Sequence, residues 1–125
     1  MPSQPGWQPH VNKIIMVPEL QGTPASVDPL TGTMLVSAQW WNSASFDERL
    51  FVLLHECGHL EAQGGEFEAD RWALDTYAQK GYSLKGAVLA FTHIMPFTTT
   101  EQYQRGTALL RQALQLQHSP TGSNR

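Results

Sequence analysis

Apolar residues fall into two kinds of run along this chain. Val11–Val17 (VNKIIMV) is short and rich in β-branched residues, and Pro18 ends it, which reads as a strand. Thr33–Trp40 (TMLVSAQW) reads as a second strand. Gly22, Pro24, Pro29 and Gly32 lie between them, so residues 18–32 are expected to form a loop. From residue 45 onward the signals are helical. Ser45-Phe46-Asp47-Glu48 is a capping box, which predicts a helix from Phe46 to about Glu61. Phe51, Val52, Leu53, Leu54 and Leu60 make that helix apolar nearly all round, so it should be buried. Gln63-Gly64-Gly65 breaks it. A second helix runs from near Glu66 to near Lys80, with Gly81 at C′. Ser83 caps a third, which must stop before Pro96. Thr98–Glu101 offers another capping box and opens a fourth helix to about Gln117, with Leu109, Leu110, Leu114 and Leu116 expected in the core. The fold class is therefore α+β: a small β-hairpin or short sheet packed on a bundle of about four helices. The expected organisation is a flexible arm at 1–10, rich in Pro, Gly and Gln, a single domain at 11–117, and a disordered polar tail at 118–125.

Composition narrows the picture. The chain has 125 residues, enough for one compact domain, and 41% are hydrophobic, enough for a core. A net charge of −3 gives no electrostatic case for nucleic acid or an anionic membrane surface. The partner expected is a peptide or protein, with no nucleic acid and no membrane insertion. Cys57 is the one cysteine, so no intrachain disulfide forms. The first residues have neither a basic n-region nor an apolar h-region, and the apolar runs are far short of the roughly 20 residues of a spanning helix. A soluble, cytoplasmic protein is the expectation.

Candidate chemistry is concentrated in His55-Glu56-Cys57-Gly58-His59, an H-E-x-x-H motif. On a helix, residues four apart share a face, so both imidazoles can reach one zinc ion. Glu56 stands about 100° from His55 and about 60° from His59 around the helix, beside the metal without having to bind it. That is the place for a general base acting on water. Cys57 falls on the far side and reads as a small buried hydrophobe. Gly58 costs helix stability, so close packing by another element is expected there. Two polar rings and a carboxylate on a buried helix need partners, and a metal with a third ligand supplies them. The turn at Ala62–Gly65 is short, so the two helices it joins should be antiparallel neighbours. Glu66 then stands level with His59 and is the expected third ligand. Asp70, one turn on, is level with His55 and can accept its N–H. Glu68 points away.

H-E-C-G-H followed by E-F-E-A-D-R-W-A resembles the gluzincin zinc metallopeptidases and is most similar to the soluble core of the HtpX-like and CAAX-prenyl-protease-like family. The likeness spans about residues 32–111. It implies a minimal zincin-like domain with one zinc ion per chain, held by His55, His59 and Glu66. It also implies Glu56 as the base and Asp70 behind the metal. Gly32–Ser37 resembles the strand that lines the substrate groove in such enzymes. Met34, Leu35, Val36 and Ser37 are therefore candidate groove residues, able to pair with an extended substrate. Arg105 with Leu109 and Leu110 resembles the closing helix. A peptidase also needs a donor for the developing oxyanion, for which His93 and Arg105 are candidates. The plainer readings are a dipole-favoured helix end for His93 and an ion pair with Glu101 for Arg105. The expected function is a zinc endopeptidase. The alternative is a non-catalytic, zinc-stabilised binding or virion-assembly module.

Overall fold

The computed structural model describes residues 6–118, so positions 1–5 of the expected arm and 119–125 of the expected tail lie outside the described residues. Three strands and five helices follow in the order β1 (Lys13–Val17), β2 (Ala25–Asp28), β3 (Thr33–Ser37), α1 (Ala38–Ser43), α2 (Phe46–Glu61), α3 (Glu66–Gln79), α4 (Leu84–Ile94) and α5 (Thr100–His118). This is the α+β class, a small sheet on a helical bundle.

The sheet runs β1-β3-β2, with β1 parallel and β2 antiparallel to β3. Two of its features differ from the sequence reading. Part of the 18–32 segment is a strand: Ala25–Asp28 pairs with Thr33–Val36 as a hairpin. Its turn is closed by Gly32 N–H on Asp28 O (2.8 Å) and by Leu30 N–H on the Asp28 carboxylate (2.9 Å), with Gly32 at φ +73°. The second difference is that β3 stops at Ser37, not Trp40. The Ser37 hydroxyl accepts the Trp40 N–H (3.2 Å) and so starts α1, because a serine in extended conformation satisfies the first orphan amides of a helix.

The long helices begin where their caps predict. Ser45 and Glu48 make the reciprocal box that opens α2. Ser83 opens α4, and Gly81 at φ +81° follows the end of α3. At α5 the cap lies one residue later than Thr98/Glu101: Thr99 accepts from Gln102 N–H, and the Gln102 side chain accepts from Thr98 and Thr99.

Helix α2 sits between two apolar clusters, which explains its apolar circumference. Phe51 joins Ala73, Leu74, Tyr77, Phe91 and Leu109 on the helical side, while Val52 joins Ala25, Met34 and Val36 on the sheet side. Each large side chain so buried contributes about 1.5–3 kcal/mol. Of the expected α5 stripe, Leu109 is buried and Leu116 packs on the core, but Leu110 and Leu114 are half exposed. The inward face of α5 is Leu109–Ala113–Leu116, set by the 3.6-residue period.

Candidate metal centre

Pairs along α2 and α3 run in opposite directions: the Tyr77 hydroxyl donates to Asp47, His55 meets Asp70, and His59 meets Glu66. The two helices are therefore antiparallel. At Gly58 the two helices approach closely. A Cβ there would lie 2.8 Å from Ala69 O and 3.1 Å from Ala69 Cα, so any side chain would push α3 away. The connecting turn holds Gln63 at φ +52° and wraps around His59. Glu68 is spent on the helix start, where its carboxylate accepts Gly65 N–H at 3.0 Å.

Those constraints set the orientation of both imidazoles. His55 Nδ1–H donates to Asp70 Oδ1 (2.8 Å) and His59 Nδ1–H donates to Gly64 O (3.0 Å). Both Nε2 atoms then face one oxygen, Glu66 Oε1, at 2.8 and 3.3 Å. The three ligand atoms offered by His55, His59 and Glu66 lie within 4.8 Å of one another. In a tetrahedral zinc site, neighbouring ligand atoms stand about 3.4 Å apart at the usual bond lengths. The spacing is of the order such a site needs, and two imidazoles with one carboxylate match zinc's donor preference. The donor set fits zinc, and Glu66, half exposed, faces the cleft.

Arg105 closes the cluster from behind. Its Nε–H donates to Asp70 Oδ2 (2.8 Å) and Nη2–H to Asp70 Oδ1 (2.9 Å), while Nη2 lies 3.7 Å from Glu66 Oε1. The guanidinium also stacks over Phe91, 5.6 Å from the ring centroid. Asp70 rather than Glu101 is its close partner, so Arg105 belongs to the site through the carboxylate that orients His55. His93 is elsewhere. It is exposed on the outer surface and paired through Nδ1 with Glu48, so it does not reach the cluster.

Electrostatics follow from these contacts. Burial opposes charge on His55, but the hydrogen bonds to Asp70 and Glu66 outweigh it, and its pKa is raised to about 9. Hydrogen bonds from His55 and His59 hold Glu66 well below the usual carboxylate range. Burial pushes the Glu56 carboxyl up, against the lowering pull of His55 and His59. Its carboxylate accepts no hydrogen bond among the described residues and faces the cleft. Burial also raises the Cys57 thiol, which is half buried on the sheet side of α2 and away from the cluster.

The cleft over this cluster has a volume of about 530 Å³. Its floor is His55, Glu56, His59 and Glu66; one wall is Ala25–Val27 of β2, and the other is Ile94, Met95 and Pro96 at the end of α4. Met34, Leu35, Val36 and Ser37 do not line it. β3 is the central strand, paired on both sides, and Met34 and Val36 are core residues. The strand that lines the cleft is the edge strand β2, which at four residues is too short for alternation to reveal. Comparison with family models, curated proteins and solved structures returned no match for this chain.

Proposed function

We propose that this chain is a zinc-dependent metallopeptidase. The observation that carries the reading is the convergence of His55, His59 and Glu66 in an open cleft, with the buried Glu56 carboxylate beside them. The motif likeness to gluzincins points the same way. His55, His59 and Glu66 would hold the ion, with Asp70 and the Gly64 carbonyl gripping the imidazoles from behind. When bound, zinc supplies Lewis acidity that acidifies water and polarises a carbonyl. Glu56 takes the proton of the attacking water and returns it to the leaving amine as the carbon–nitrogen bond breaks. The raised proton affinity that burial imposes suits a group that must carry the proton between these two transfers. β2 is an edge strand beside the cluster, and its backbone can pair with an extended substrate.

The test is the Glu56→Gln variant. It should retain one zinc per chain by elemental analysis and lose peptide hydrolysis by about 100-fold or more. Hydrolysis at the wild-type rate by that variant would reject the mechanism.

A further inference from the structure

Resting on the reading of this cleft as a peptide site, the geometry points to a specificity subsite: Ile94 and Met95, backed by Phe91, receive a bulky apolar side chain of a strand laid along β2. The cleft is the gap between the two apolar clusters. Ile94 packs on the sheet-side cluster and Met95 on the helical one, so the end of α4 straddles both and its position is set by both. The segment that follows is held just as firmly. Phe97 sits at φ +53°, its ring between Phe91 (centroids 6.1 Å) and Tyr103 (5.4 Å) and 3.0 Å from where a Gly106 Cβ would stand. A left-handed phenylalanine persists only where its surroundings impose it, so this wall is preformed.

The end of α4 carries no charged side chain into the cleft. Among the described residues lining the cleft outside its floor, Arg105 alone is charged, and two of its N–H groups are taken by Asp70. Ile94 and Met95 are partly exposed to the cleft, and burying their surface against an apolar side chain is favourable, whereas a charged side chain seated against them would be desolvated with no charged partner from α4. In a peptide strand alternate side chains point to the same side, so one residue in two would face α4. A volume of about 530 Å³ holds such a side chain together with its flanking backbone. The substrate class is thus an extended peptide with Leu, Met, Ile or Phe at the position facing α4, in preference to acidic, basic or very small residues.

Binding tests this separately from catalysis. Zinc-loaded Glu56→Gln protein is offered synthetic peptides in which each position in turn is varied through all residue types. One position should favour Leu, Met, Ile or Phe over Asp, Lys or Gly by about tenfold or more in affinity. Met95→Lys should reverse the order at that position toward Asp and Glu. Met95→Ala, which adds no charge to the wall, should shift it toward the largest aromatic side chains. Absence of peptide binding, binding indifferent to the residue at every position, or a preference left unchanged by both substitutions would each overturn the subsite. Selective binding with no cleavage by the wild-type protein would instead reject the peptidase reading and leave the subsite standing.

Discussion

His55 illustrates how much one side chain carries here. One ring nitrogen is committed to Asp70 and the other faces Glu66, so without a metal the ring holds two protons. Its pKa is raised from 6.5 to about 9, so its stabilisation is fully present below about pH 6.5 and is lost as pH rises through about 9. Glu66 has the opposite sign. Its pKa is lowered from 4.5, so its contribution is present above that value and is lost in acid. Glu56, raised by burial, works in the same direction as His55. The metal-free protein should therefore melt at a higher temperature near pH 6 than at about pH 9.5, and calorimetry across that range checks it. Zinc competes with the His55 proton, so zinc affinity should rise over the same interval, which titration of the metal would measure. Asp70→Asn keeps the shape but removes the charge shared by His55 and Arg105. Zinc affinity should fall by about 10–100-fold with one ion still bound at saturation.

At the scale of elements, the site depends on how α2 and α3 meet. Capping at Ser45/Glu48 and the glycines at 64 and 65 decide where each helix ends and begins, and this brings His59 and Glu66 together. Gly58 decides how near the helices come. In Gly58→Ala the added methyl meets backbone atoms of Ala69, which cannot rotate away, so the overpacking cost outweighs the gain in helix propensity. A net loss of about 1–2 kcal/mol in denaturant unfolding is expected, with weaker zinc binding because Glu66 moves with α3. A stability equal to wild type would mean that the two helices are not held at this separation.

For the whole molecule, the question is whether the ion organises the fold or occupies a fold already made. Two apolar clusters flank α2, and among the described residues every side-chain N or O fully shut off from solvent has a hydrogen-bond partner without any ion; the Glu56 carboxylate, which has none, opens on the cleft. The chain should accordingly stay folded when zinc is chelated, keeping its helical circular dichroism and a cooperative transition at a lowered melting temperature. Collapse of the fold on chelation would instead mark the metal as structural, as in the binding-module alternative. No helix of the described residues is long and apolar enough to cross a membrane.

Local chemistry settled much of this in advance. Side-chain caps, glycine breaks and the 3.6-residue period are written in contiguous residues, so α2 to α5 and the grouping of His55, His59, Glu66 and Asp70 could be read from the chain. The remainder depends on partners distant in sequence. β2 has four residues and exists because β3 pairs with it; β3 is central because β1 takes its other edge. That arrangement puts Ala25–Val27, and not Met34–Ser37, on the wall of the cleft. Likewise nothing near Arg105 foretells that its guanidinium reaches Asp70, 35 positions away, or that His93 faces outward to Glu48. Strand pairing and these ion pairs are long-range contacts, and only the packed chain brings their two halves together.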